Sequence, residues 1–96
     1  YKLIPSTGVY VIRTQINSVL FSGIMNIGFN PTVLGKHQTI EAHLFNFNED
    51  LYGEKITVEF VYFLREEKKF KSVDELVAQL NIDKENAISF LSNNPK

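Results

Sequence analysis

The chain of 96 residues contains no cysteine and no tryptophan, and it has only three prolines and five glycines. Without cysteine there is no disulfide framework, no thiolate metal ligand and no cysteine nucleophile. Small domains without disulfides are typical of reducing compartments, so we expect a cytoplasmic protein.

Neither sign of charge is in excess. Ten Lys and Arg residues stand against eleven Asp and Glu residues, for a formal net charge of -1. This balance provides no basic field to hold a nucleic-acid backbone. No apolar run approaches the roughly 18 residues that a membrane-spanning helix needs, and the first residues resemble no signal peptide. We therefore expect neither a nucleic-acid partner nor a membrane partner.

The composition is that of a globular domain. Hydrophobic residues make up 44% of the chain and charged residues 22%, which argues against disorder. The length fits a single domain over residues 1–96. Because the sequence opens without Met and runs almost at once into a predicted strand, we also expect it to be a piece of a longer protein.

Three segments have the composition of β-strands. Residues 9–16 and 19–27 are rich in β-branched and aromatic types, and only Asn17 and Ser18 separate them, which predicts a tight hairpin. Residues 55–64 form the longest predicted strand, with alternate apolar residues on one face. Those apolar residues are Ile56, Val58, Phe60, Tyr62 and Leu64.

A fourth strand is predicted over residues 38–46, after a loop over residues 28–36 that contains two Gly, one Asn and one Pro. The strand alternates, with Ile40, Ala42 and Leu44 on one face. Thr39, Glu41, His43 and Phe45 share the other face.

A helix over residues 72–91 is predicted to follow. Ser72 can cap its first amides while Glu75 reaches back in a capping box, and an apolar stripe interrupted only by Lys84 runs along it. Four strands and a helix without helical crossovers predict a mainly antiparallel β-barrel or curled sheet over residues 7–65, closed at one side by the C-terminal helix.

Glu41 and His43 are the residues that most suggest chemistry. On one face of a strand they lie about 6.6 to 6.8 Å apart, and a carboxylate held there beside a nucleotide could take a proton from a hydroxyl. An ordinary solvated face is the other interpretation of the same pattern. His37 and His43 have no further nitrogen or sulfur ligand nearby, which argues against a zinc site.

Two more residues allow alternative interpretations. Gly28 either belongs to a plain turn or leaves space for a ligand to approach the backbone. Arg65 could grip a phosphate or stack on a ring, or form a salt bridge with Glu66 or Glu67.

The succession of short motifs resembles the riboflavin kinase module, which in bacteria usually forms the C-terminal half of bifunctional FAD synthetase. The resemblance runs from about residue 3 to 91, and it rests on the order of the motifs rather than on any one of them. The motifs are Leu3-Ile4-Pro5-Ser6-Thr7-Gly8-Val9-Tyr10, Gly23-Ile24-Met25-Asn26-Ile27-Gly28-Phe29-Asn30-Pro31-Thr32, Ile40-Glu41-Ala42-His43-Leu44, Asp50-Leu51-Tyr52-Gly53, and Phe63-Leu64-Arg65 followed by Phe70.

The resemblance implies a Greek-key-like antiparallel barrel, six-stranded in the intact module, that transfers the γ-phosphate of magnesium-ATP to the 5′-hydroxyl of riboflavin and so makes FMN. It places the catalytic carboxylate on Glu41 and gives His43 a structural or positioning role. ATP contacts are expected near Leu44, Asn46 and Tyr52, and flavin contacts near Arg65, Phe70 and Val73.

The sequence departs from the family pattern in two places. The family's Gly-containing nucleotide loop and its Pro-Thr-Ala-Asn string, which helps to hold magnesium, would precede Tyr1, and Glu66 stands where relatives often have Pro. We therefore expect no metal ligand within this chain, no riboflavin phosphorylation by residues 1–96 alone, and an N-terminal adenylyltransferase domain in the parent protein. A non-catalytic barrel that binds flavin or nucleotide is the alternative function.

Overall fold

The computed structural model describes residues 6–32, 35–47 and 56–94. Within these ranges the chain forms four strands, arranged as an antiparallel sheet in the order β3-β2-β1-β4, and a C-terminal helix. The elements are β1 Gly8–Ile16, β2 Val19–Thr32, β3 Gly35–Leu44, β4 Val58–Arg65 and α1 Val73–Asn93. The predicted mainly antiparallel β fold with a C-terminal helix is confirmed, while closure of the sheet into a six-stranded barrel stays a prediction.

The predicted β1–β2 hairpin is also confirmed. Ile16 pairs with Val19, and the two residues between them have φ angles of 52° at Asn17 and 69° at Ser18. Two successive left-handed residues are the mark of a type I′ turn, whose twist matches that of the flanking strands.

The loop predicted over residues 28–36 is wrong. β2 continues to Thr32 and β3 begins at Gly35, with backbone pairs from Gly28↔Thr39 to Thr32↔Gly35. Pro31 is tolerated in β2 because β1 reaches only as far as Ile27 along this strand, so no β1 carbonyl needs a donor from Pro31. Gly35 has a φ of 134°, a conformation open to glycine.

The main cluster of buried hydrophobic side chains lies on one face of the sheet, while Val9 and Val11 of β1 are buried on the other. The buried side chains Tyr10, Ile12, Met25, Ile27 and Leu44 form this main cluster. Alternation along β1 and β2 places them on the same side of the sheet. Burial of side chains of this size stabilises the fold by about 1.5 to 3 kcal/mol each.

Strand β4 differs from its predicted pattern because its register against β1 shifts twice. Ile12 pairs with Phe60 and Tyr10 pairs with Phe63, whereas Tyr62 pairs with Val11 on the other face. The ring of Tyr10 accordingly meets Phe60 and Phe63 edge-on, at centroid distances of 5.2 and 5.3 Å. A single apolar face along β4 is therefore wrong, since each bulge adds a residue and reverses the alternation.

Helix α1 begins where the sequence predicts and ends slightly later, at Asn93. The Ser72 hydroxyl accepts a hydrogen bond from the Glu75 amide at 3.2 Å, but the Glu75 carboxylate accepts from the Lys71 amide at 3.1 Å rather than from Ser72. The apolar stripe is only partly packed, because the buried positions of the helix are Asp83 and Ala87. In the part of the chain that the structure describes, no helix combines the length and apolarity needed to cross a membrane.

Candidate functional site

A groove lies between the N-terminal half of α1 and the face of β2 and β3 opposite the core. Its cavity volume is about 540 Å³, within the range usual for small-molecule sites. The sheet supplies Ile24, Asn26, Glu41, Ala42, His43 and Phe45, and the helix supplies Leu76, Leu80, Asn81 and Lys84.

The sheet side of the groove carries Glu41. Glu41 pairs with Asn26 and His43 pairs with Ile24, so alternation places both β3 side chains on the face turned away from the Tyr10–Leu44 core. Both side chains are solvent-exposed and both line the groove. A carboxylate in this position can accept a hydrogen bond from a hydroxyl group of a bound ligand.

The helix side of the groove combines apolar and cationic groups. Leu76 and Leu80 provide apolar surface, and the Lys84 ammonium lies 6.0 Å from the centre of the Phe45 ring. Phe45 in turn meets His43 edge-on, with ring centroids 6.0 Å apart. The groove therefore combines apolar surface with one carboxylate and one ammonium group.

Lys84, Asn81 and Asn26 are groove residues that sequence reasoning missed. In the sequence Lys84 is only an interruption of the apolar stripe of α1, and that interruption is the one signal that points to its place in the groove. Asn26 carried no comparable signal, because its place in the groove follows from its pairing with Glu41 across β2 and β3.

Of the predicted ATP residues, Leu44 does not share this face of the sheet. The Leu44 side chain is buried in the core cluster, so the sheet separates it from Glu41. Asn46 is exposed and adopts a left-handed φ of 59°, directly after Phe45, whose amide donates to the Ser22 carbonyl at 2.7 Å. Tyr52 lies outside the described residues. Roles for these three residues in ATP binding stay predictions.

None of the predicted flavin residues lines the groove. They lie around the segment that joins β4 to α1, and their roles in flavin binding stay predictions. Arg65 ends β4, Phe70 is half-buried in the connection, and Val73 opens the helix with 72% of its surface exposed. Arg65 forms its salt bridge with Asp83 of α1 at 2.8 Å, not with the carboxylate of Glu66 or Glu67. Its contact with Glu66 is to the backbone carbonyl, at 2.9 Å.

Gly28 belongs neither to a turn nor to the wall of the groove. It lies in β2, and a Cβ atom there would overlap the carboxylate of Glu67, whose Cδ would be 2.9 Å away. Lys69 reaches the same place, with its ammonium 3.3 Å from the Phe29 carbonyl and 3.6 Å from the Glu67 carboxylate. The absence of a side chain at Gly28 therefore lets the segment that follows β4, with Glu67, approach the backbone of β2 closely.

The described residues do not gather metal-binding side chains at any one point. Across residues 6–32, 35–47 and 56–94, no three or more His, Asp or Glu side chains cluster in a way that could hold a metal ion.

An antiparallel sheet with a helix over one face and a groove of small-molecule size between them defines a small, mainly β domain. Comparison with known proteins identifies the kind of domain. The family model for Flavokinase, described as riboflavin kinase, matches residues 1–91. The chain therefore belongs to the riboflavin kinase family, as its motifs led us to expect.

Curated relatives agree with this assignment. The bifunctional riboflavin kinase/FMN adenylyltransferase of Bacillus subtilis is 38% identical over 94 residues, covering 95% of this chain and 30% of that protein. Its counterpart from Haemophilus influenzae is 39% identical over 89 residues, covering 92% of this chain and 29% of that protein. The chain thus spans about 30% of the length of these two relatives.

Two further proteins are similar to most of this chain. An RNA-binding riboflavin kinase from Bacillus subtilis is 40% identical over 77 residues, covering 79% of this chain and 34% of that protein. A crystal structure described as a macrolide-efflux protein from Streptococcus pneumoniae superposes with a TM-score of 0.79 at 34% identity. It covers 98% of this chain and 29% of that one, so the fold extends through a region of a longer protein.

Proposed function

We propose that this chain is the part of a riboflavin kinase that binds riboflavin and activates its 5′-hydroxyl, so that the γ-phosphate of ATP is transferred to it and FMN is formed. The observation that carries the proposal is the position of Glu41, which stands on the exposed face of β3 and lines a groove closed by α1. Membership of the riboflavin kinase family supports the choice of substrates.

The groove suits a flat aromatic ring with a polar chain. Leu76, Leu80 and Phe45 offer apolar surface to the isoalloxazine ring, while Glu41, Asn26 and His43 offer hydrogen-bonding groups to the ribityl hydroxyls. Ligand sites commonly combine apolar walls with a few converging polar groups in this way.

The chemistry proposed for Glu41 is general base catalysis. The carboxylate accepts the proton of the 5′-hydroxyl as the oxygen forms a bond to the γ-phosphorus, and the bond between that phosphorus and the β–γ bridging oxygen of ATP breaks to release ADP. A base in hydrogen-bond reach of a reacting hydroxyl contributes about 10² to 10⁴ in rate. Most of the remaining rate enhancement in phosphoryl transfer comes from alignment and charge neutralisation.

The second substrate, the attached domain and the cellular location are also part of the proposal. ATP, with magnesium as the ion that neutralises phosphate charge in kinases generally, is the second substrate. Because two relatives that each span more than 90% of this chain are described as riboflavin kinase/FMN adenylyltransferase, we propose an adenylyltransferase domain in the same gene product. A cytoplasmic location agrees with the absence of cysteine.

The test is FMN formation by the complete gene product, measured with riboflavin and ATP. Glu41→Gln keeps the size and hydrogen-bonding capacity of the side chain but removes the base, so we expect kcat to fall by about 10² to 10⁴. Riboflavin binding, followed by quenching of flavin fluorescence, is expected to change little.

Glu85→Gln is the matched control, since Glu85 is exposed on α1 and does not line the groove. This variant is expected to keep the unsubstituted rate. Full turnover by Glu41→Gln would remove Glu41 from the mechanism. Riboflavin binding without any FMN formation by the unsubstituted protein would instead favour the alternative function, a β module that binds flavin without chemistry.

A further inference from the structure

A buried ion pair joins the end of β4 to the middle of α1. Arg65 donates from Nε to Asp83 Oδ1 and from Nη2 to Asp83 Oδ2, both at 2.8 Å. The Gln79 amide nitrogen donates to Asp83 Oδ1 as well, at 3.0 Å. Asp83 is only 1% exposed and the Arg65 side chain 19%, so the pair is largely shielded from water.

The two charges depend on each other. Burial of a carboxylate is tolerated only where hydrogen bonds and an opposite charge compensate for lost hydration, and Asp83 receives both from Arg65. The two parallel hydrogen bonds also fix the plane of the guanidinium group. Arg65 is therefore held rigidly at the end of β4, with its Nη1 donating to the Glu66 carbonyl at 2.9 Å.

The same pair fixes the helix. Asp83 follows Leu80 by three residues, so the two side chains lie on neighbouring positions of one helix face. Further along α1, Ala87 is fully buried, and the Phe90 ring stacks on Tyr62 of β4 at a centroid distance of 4.2 Å. The C-terminal half of α1 is thus attached to β4, while its N-terminal half, with Leu80, borders the groove.

We propose that Asp83 is a positioning residue for flavin binding: through Arg65 it sets where α1 stands relative to β3 and hence the width of the groove. This inference rests on the proposed function, because it takes riboflavin as the ligand. Asp83 itself is not one of the described residues that line the groove. Loosening the pair displaces the helix wall of the groove, whereas Glu41 is held by its pairing with β2.

The inference predicts that substitution of Asp83 weakens riboflavin binding but leaves kcat nearly unchanged. In the complete gene product, Asp83→Asn keeps the shape of the side chain and removes its charge. Displacement of the helix wall weakens contacts that the ground state and the transition state share, so we expect the riboflavin KM and Kd to rise about ten- to a hundredfold, which corresponds to about 1.4 to 2.8 kcal/mol. The kcat at saturating riboflavin is expected to stay within about threefold, as when uniform binding is lost. Asp83→Glu, which keeps the charge, should recover part of the affinity.

Arg65→Gln and the double variant complete the experiment. If Asp83 acts through Arg65, each single variant removes the same interaction, so the double variant should bind riboflavin no more weakly than the weaker single variant. Should Asp83→Asn fail to fold, Gln79→Met removes only the amide that supports Asp83, and a smaller rise of the same sign in riboflavin Kd is expected.

Unchanged riboflavin Kd in Asp83→Asn, or fully additive effects in the double variant, would overturn the inference. Because the riboflavin Kd is measured without turnover, failure of this inference can be distinguished from failure of the proposed function. Weaker binding by Asp83→Asn in a protein that makes no FMN would contradict only the kinase activity. Absence of riboflavin binding by the unsubstituted protein would overturn both.

Discussion

Gly23 is the residue whose replacement tests the sheet most sharply. It lies within β2, between Ile12 of β1 and Leu44 of β3. A Cβ atom there would overlap the His43 carbonyl oxygen and would stand 2.9 Å from the Leu44 Cα atom, where carbon atoms normally approach no closer than about 3.5 Å. Both atoms belong to the backbone of β3, so no side-chain rotation can relieve the overlap.

Gly23→Ala must therefore push β3 away from β2 near the end that carries Glu41 and His43. Overpacking typically costs about 1 to 3 kcal/mol, and we expect the upper end here, about 3 kcal/mol. For a domain of this size that lowers Tm by about 12 to 24 °C. Thermal unfolding of the chain, followed by circular dichroism, measures the loss.

Gly28→Ala is the matched control in the same strand. A Cβ atom at Gly28 would overlap only the Glu67 carboxylate, at the far end of a flexible side chain that can rotate away. Its expected cost is below about 1 kcal/mol. A Tm within about 3 °C of the unsubstituted chain for Gly23→Ala, or an equal loss for both variants, would refute the close approach of β3 to β2.

The turn and the helix cap give two further predictions. Ser18→Gly removes the cost of a left-handed φ at a residue that carries a side chain and should stabilise the hairpin by about 0.5 to 1 kcal/mol. Ser22→Gly within β2 is the control and should destabilise the chain by a similar amount. The two variants should therefore shift Tm in opposite directions in thermal unfolding, and shifts in the same direction would contradict the type I′ turn. Ser72→Ala removes the hydrogen bond from the Glu75 amide and should cost about 1 kcal/mol, with Ser72→Asp retaining the cap; an unchanged Tm in Ser72→Ala would show that the cap contributes nothing.

Local signals in the sequence predicted the elements that depend on neighbouring residues. Asn17 and Ser18 predict the hairpin because these two residues are all that separates two strand-like segments. Ser72 marked the start of α1 because its hydroxyl caps an amide only three residues away. Alternation along residues 38–46 likewise placed Glu41 on the face opposite Leu44, since a strand turns successive side chains to opposite sides.

Features that depend on partners distant in the sequence were not predictable in this way. Gly28 and Pro31 have the composition of a loop, yet they lie in β2 because β3 pairs with them. The β4 bulges move Tyr62 to the helix side of the sheet, where it stacks on Phe90. An Asp residue is almost never fully buried unless it is paired, and the burial of Asp83 depends on Arg65, which stands opposite.

The most direct test of the central claim is a crystal structure of the complete gene product with FMN and ADP bound. The account predicts the isoalloxazine ring between Leu80 and β3, with the FMN phosphate-ester oxygen about 2.6 to 3.2 Å from the Glu41 carboxylate. Flavin bound on the opposite face of the sheet, beside Tyr10 and Leu44, would contradict it.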